Sequence, residues 1–286
     1  MIHSALRWLI PLAALFVLGP IAGSLTASLR AGDGGPETTL LVSAAPMRGV
    51  IVGVAVLAIA GVAGVVGARL IGNRSGLFYA GLVLAWAAWG TGRIDAIIGR
   101  TQSASTLYTV ALEGVLVGVL GVALAALIMM VPTIAQPKPA AGAGDHHHHL
   151  PPEPRGFGDK ALPLAVLAAL VACGVAVFLI AQDSLKGQTF AAAAIGGVFA
   201  AAAGRVASQH VSCVVFFGAF AILMAASPAA ATFVHSGSAG VTRAALANEL
   251  FRLARPLPLD YLAGAFIGIP IGLSWAGSMI ERHHEH

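Results

Sequence analysis

Eight apolar stretches, separated by short polar breaks, set the pattern of this chain. They cover 8–29, 49–71, 77–93, 107–131, 161–182, 188–205, 211–234 and 259–280. A helix needs about 20 apolar residues to cross roughly 30 Å of hydrocarbon. Lengths of this order predict membrane-spanning helices rather than core helices of a soluble domain. The stretches are apolar throughout instead of alternating with period two, which argues against a β-barrel. The seventh carries Pro228 inside it and is the least regular of the eight. The first is longer than the apolar core of a signal peptide and reads as a span.

The polar positions divide the pattern in two. Between about 132 and 160 the chain reads QPKPAAGAGDHHHHLPPEPRGFGDK, rich in Pro, Gly and charge, which predicts a flexible linker. It separates a first half (1–131) from a second half (161–286), each with four spans. Near 242–255, Ala245, Leu246, Leu250, Leu253 and Ala254 share one helical face, and Arg243, Asn248, Glu249, Arg252 and Arg255 occupy the rest. That spacing predicts an interfacial amphipathic helix rather than a crossing. The fold class expected is all-α, a polytopic helical bundle of about eight spans in two four-helix halves.

A faint internal repeat accompanies this division. A shift of 112 brings Arg74 onto Lys186, Phe78 onto Phe190, and Gly92-Arg93 onto Gly204-Arg205. Span four (Leu112, Glu113, Gly121) also matches span eight (Leu259, Asp260, Gly268). The two alignments imply opposite relative orientations, so a single duplication does not account for both. With its Gly-Arg pair ending span three and a Glu opening span four, the region 1–131 resembles small four-helix bacterial membrane domains. That resemblance implies no particular activity.

Composition agrees with a membrane protein. Of 286 residues, 58% are hydrophobic and 10% charged, with a mean hydropathy of +0.87, whereas soluble domains carry about 25% charge. The net charge of +4 is spread over span ends and loops, where Lys and Arg anchor helices at the head groups. No basic cluster is dense enough for nucleic acid. Cys173 and Cys213 both lie in or beside apolar segments and read as small core residues. With eight spans the basic residues fall equally on the two sides. The long linker then favours a cytoplasmic side for the N-terminus, linker and C-terminus, in a bacterial inner membrane.

Candidate chemistry is sparse. His146, His147, His148 and His149 form a run in the linker, and His283, His284 and His286 close the chain. Imidazole tracts of this kind bind Zn, Ni, Co or Cu, here weakly because the segments are flexible. Within the spans, Glu113 sits some six residues into span four. Buried charge costs roughly 2.5–3.5 kcal/mol on insertion scales and calls for a partner. Arg93, on the same side, is the expected one, with Asp95 competing for it. Arg205 either meets a carboxylate or snorkels to the head groups. Asp260 opens span eight and fits a helix N-terminus. Gly114 and Gly118, and Gly264, Gly268 and Gly272, recur every four residues and predict close helix packing. Pro20 and Pro270 free backbone carbonyls that pack or bind ions.

No HExxH, GxSxG, P-loop or dinucleotide turn occurs, so the residues give no sign of an enzyme. Two functional readings lead, ahead of a third, a lipid-modifying enzyme. One is a non-catalytic subunit or scaffold of a membrane complex, with the lipid bilayer, other membrane subunits or further copies of itself as partners. The other is a small-cation or transition-metal transporter with a His-rich regulatory loop. They differ in whether Glu113, Arg205 and Asp260 line one cavity or sit apart.

Overall fold

The computed structural model describes residues 2–134, 161–208 and 211–283, with side chains placed over 8–134, 161–208 and 211–279. The helices, in chain order, are α1 (Ile2–Ala13), α2 (Gly19–Ala27), α3 (Pro46–Leu70), α4 (Asn73–Trp89), α5 (Ile94–Thr101) and α6 (Ser105–Met130). After the linker come α7 (Leu162–Ile180), α8 (Lys186–Ala207), α9 (Val214–Val234), α10 (Ser238–Leu246) and α11 (Pro258–His283). No strand occurs among the described residues. The protein is an all-α integral membrane protein, a multi-pass bundle of transmembrane helices in contact with the lipid bilayer. Seven segments are long and apolar enough to cross a bilayer, α1 and α2 counting as one. The one expected span outside these seven, the third (77–93), corresponds to α4, which has 17 residues and is the shortest, about 26 Å at the usual rise. It is shorter than its neighbours α3 and α6 (25 and 26 residues) and is tied to other spans near both of its ends. Asn73 Nδ2 donates to the Met129 carbonyl at one end (2.8 Å), and Thr26 Oγ1 donates to the Ala87 carbonyl near the other (2.9 Å).

Glycine decides which helices approach most closely. On α11, a Cβ added at Gly264, Gly268 or Gly272 would run into the α8 backbone at Ala193, Ala194 or Val198. Small residues on α8 (Gly197, Ala201) complete the contact. In lipid, such contact supplies the dispersion energy that replaces a hydrophobic driving force. α6 meets α9 in the same way through Gly114 and Gly118, opposite Met224 and Ala221. The two chain halves are therefore interleaved. α6 lies on α9, and α11 lies on both α4 and α8. Aromatic rings fill the centre, with Phe217 against Phe266 at 4.7 Å between centroids and Phe220 edge-on to Tyr261.

The prolines bend the pattern less than the sequence suggests. α9 runs unbroken through Pro228. That proline withdraws the N–H that would meet the Met224 carbonyl. Gly114 of α6 lies against this same carbonyl, where a side chain would not fit. Pro270 in α11 likewise releases the Phe266 carbonyl beside Gly81. Pro20 stands just after a π-helical turn, Ala14–Leu18, which contains Phe16, the residue whose carbonyl the proline leaves without its usual donor.

At one end of the bundle the spans are covered. The segment 28–45, α5, α10 and a 3-10 turn (Arg252–Ala254) lie over the span ends around a second apolar core of Ile94, Ile97, Ile98, Leu107, Val241, Leu250 and Leu257. The amphipathic stretch expected as one helix over 242–255 is divided instead. α10 starts earlier, at Ser238, and ends at Leu246. Asn248 then turns the chain at φ +56°, ahead of the 3-10 turn.

Candidate functional site

The cap holds most of the buried polar side chains among the described residues, and several of them tie a loop to a span. Asp260, 1% exposed, stands in the first turn of α11. Its Oδ2 accepts from the Leu257 N–H (2.9 Å) and from Thr189 Oγ1 (3.2 Å). Both carboxylate oxygens accept from Lys186 Nζ at 3.1 and 3.2 Å, and Lys186 also donates to Thr91 Oγ1 at 2.7 Å. The expected role of Asp260 at a helix N-terminus is thus joined by an ion pair with Lys186, whose side chain is only 11% exposed. The lysine that flanks span six turns into the protein rather than toward the head groups. One carboxylate thereby binds α11, α8 and the end of α4 together.

Glu113 is as deeply buried, at 1% exposed, yet it has a different partner set. Its Oε2 accepts from Thr39 Oγ1 (2.6 Å) and from the Leu41 N–H (2.8 Å). Thr39 Oγ1 in turn receives the Val42 N–H at 3.4 Å. The carboxyl therefore closes the turn 39–42 and fastens the 28–45 segment to α6. A concave run of backbone donors is a favourable seat for an anion.

The pairing of Glu113 with Arg93 does not form. Arg93 begins α5, its N–H donates to Glu37 Oε2 (2.7 Å), and its guanidinium lies 3.8 Å from Asp95. The 28–45 segment passes over this part of the bundle end and supplies nearer donors to Glu113. Arg205 lies at the other end of α8, where its Nη1 donates to the Val211 carbonyl (3.2 Å) and holds the α8–α9 turn. Glu113 and Asp260 therefore share the capped end, and Arg205 is remote from both.

Arg255, expected on the polar face of an interfacial helix, is 4% exposed. Its guanidinium donates to the carbonyls of Leu250 (3.0 Å), Ala181 (3.1 Å) and Asn248 (2.7 Å). Ala181 ends α7, so the cation also meets the negative end of a helix dipole. Burial, then the neighbouring Arg252 charge, pushes the Arg255 pKa below its ordinary value, with Asp183 and Asp95 opposing. His235 fastens the same loop by accepting the Phe251 N–H at Nε2 (3.0 Å).

Lys186, Thr39, Thr189 and Arg255 complete the site; the sequence pattern marked Lys186 only as a span-flanking base and Arg255 only as part of a polar helix face, and did not single out the two threonines. The signals available were faint: a lysine at a span end, one threonine in an aperiodic loop (Thr39) and one in the first turn of a span (Thr189). His146 to His149, His284 and His286 lie outside the described residues, and His283 is placed only in its backbone. Among the described residues no group of three or more His, Cys, Asp or Glu side chains is arranged to hold a metal. Comparison with family models, with curated proteins and with solved structures finds no match for this chain.

Proposed function

We propose that this protein is a non-catalytic subunit or scaffold of a membrane complex. The observation that supports this reading is the fate of its two buried carboxyls. Asp260 and Glu113 are each occupied in fastening cap segments to the spans. The closest helix contacts, α8 with α11 and α6 with α9, are lined by glycine. Rigid loops over one end of a bundle suit a surface that other subunits recognise. Eight alternating crossings would set the N-terminus, the 132–160 linker and the C-terminus opposite the cap, on the cytoplasmic side. The two halves then act as one packing unit.

Gentle solubilisation and native co-purification of the tagged full-length chain test this. The expected result is a partner in fixed ratio, a second subunit or further copies of the chain. Recovery as a lone monomer, with cation flux in vesicles that depends on Glu113, would overturn it.

One observation favours the second reading, a small-cation or transition-metal transporter with a His-rich loop. Glu113 is buried and forms no ion pair within 4 Å among the described residues. Calorimetry with Zn, Ni, Co and Cu on the full chain, before and after replacing His146–His149 with Ala, measures the metal component. Tight binding lost in the variant would favour the transporter, and no binding in either would leave the scaffold reading ahead.

A further inference from the structure

The cap contains an open cleft of about 750 Å³ between the α5–α6 turn and α10, lined by Gln102, Ser238, Thr242, Arg243 and Leu246. Its walls are firmly placed. Ser238 Oγ accepts the Ala104 N–H (3.0 Å), and Gln102 ends α5 in a left-handed conformation at φ +49°. Val241, Ala244 and Ala245 hold α10 down through its inner face. The outward residues therefore have a fixed frame.

Three features of this cleft are unspent. Arg243 is exposed and, among the described residues, has no acid within 4 Å and no hydrogen-bond acceptor. The Thr242 hydroxyl is shielded and lacks a partner. Leu246, 74% exposed, stands on the same rim beside Gly99. The cleft also lies level with the ends of α6 and α9, where hydrocarbon gives way to head groups. A guanidinium offers several donors in a planar fork that matches a phosphate. An apolar rim at this depth suits the start of an acyl chain.

We propose that this cleft binds the phosphate group of an anionic phospholipid, with Arg243 as the charged donor and Leu246 against the acyl chain. The same donors would accept free phosphate, but the exposed leucine at the membrane boundary favours the lipid. This site is independent of the scaffold reading, since a transporter would carry it equally well.

Lipid binding by the full chain, purified in neutral detergent and followed by native mass spectrometry, tests the site. The probes are phosphatidylglycerol, phosphatidylcholine and inorganic phosphate. The variants are Arg243→Gln and, as a control at the same end of the bundle, Arg48→Gln. Arg243 makes no internal contact, so its replacement keeps the fold. The expected result is phosphatidylglycerol binding that is weakened roughly tenfold or more by Arg243→Gln and unchanged by Arg48→Gln. Equal losses in both variants would mean diffuse charge attraction and overturn the site. So would equal binding of phosphatidylcholine, or no effect of Arg243→Gln. Inorganic phosphate binding as tightly as the lipid would overturn the lipid assignment.

Discussion

Asp260 and Glu113 occupy corresponding places, near the starts of α11 and α6, yet their burial is compensated by different means. Asp260 meets a cation, Lys186, with a helix N-terminus and a threonine in support. Glu113 forms no ion pair among the described residues and takes its hydrogen bonds from dipoles, a threonine hydroxyl and a backbone N–H. An ion pair is an all-or-none device, because removing one member leaves the other as an uncompensated buried charge. A dipolar seat is graded, since each donor contributes separately and a neutral acceptor replaces the carboxylate at modest cost. The first arrangement locks α11 to α8, and the second fastens a loop.

The largest effect should come from Asp260→Ala, which leaves the Lys186 cation largely buried with no countercharge and only Thr91 as partner. Equilibrium unfolding in mixed micelles should lose about 3–5 kcal/mol. The double variant Asp260→Asn with Lys186→Met should recover most of that loss, because a buried pair exchanged for neutral groups is close to break-even. If the double variant is as unstable as the sum of the two singles, the pair is not the source of the coupling.

Glu113→Ala should come next. It removes an acceptor from two donors and leaves the Leu41 N–H buried and unpaired, at a cost of about 2–3 kcal/mol. The loss should be local, so proteolysis within 28–45 should accelerate while α8 and α11 stay protected. Uniform loss of protection across the bundle would erase the distinction drawn between the two carboxyls.

How far this site was visible in the sequence follows from the same physics. The spans were legible because each must present about 20 apolar residues to lipid, and the helices observed match the expected ranges to within a few residues. The two acids were legible because a charge inside an apolar run is conspicuous. Their partners were not. A lysine at a span end looks the same whether it points to head groups or inward, and only the fold turns Lys186 toward Asp260. Thr39 and Leu41 lie more than 70 residues before Glu113 in a loop with no periodicity, and Arg93 looked nearer because it ends the preceding span. Arg255 was read as a solvated face because one amphipathic helix was expected, and the turn at Asn248 instead carries it into a ring of carbonyls. The Gly114 and Gly268 stripes were visible as spacing, but not that Gly114 accommodates the carbonyl released by Pro228.

Glu113→Gln sharpens the comparison further. The amide oxygen still accepts from Thr39 and Leu41, so the change trades a charged acceptor for a neutral one and should cost about 1 kcal/mol. Asp260→Asn, the same chemical change, still strands Lys186 and should cost distinctly more. Similar losses for the two amides would show that Glu113 too depends on a countercharge.

The smallest effect should belong to Thr39→Val, which keeps the shape and removes one donor. The Leu41 N–H still reaches the carboxylate, so stability should fall by about 1 kcal/mol. Because Thr39 and Glu113 share one hydrogen bond, the loss should be less than additive when Thr39→Val is combined with Glu113→Gln. Combined with Asp260→Asn it should be additive, since that carboxylate has its own cation and its own threonine. Coupling between Thr39 and Asp260 as large as that between Thr39 and Glu113 would mean that the two carboxyls belong to one network. The cap would then transmit strain from the 28–45 segment to the α8–α11 contact, and a subunit pressing on one would be felt at the other.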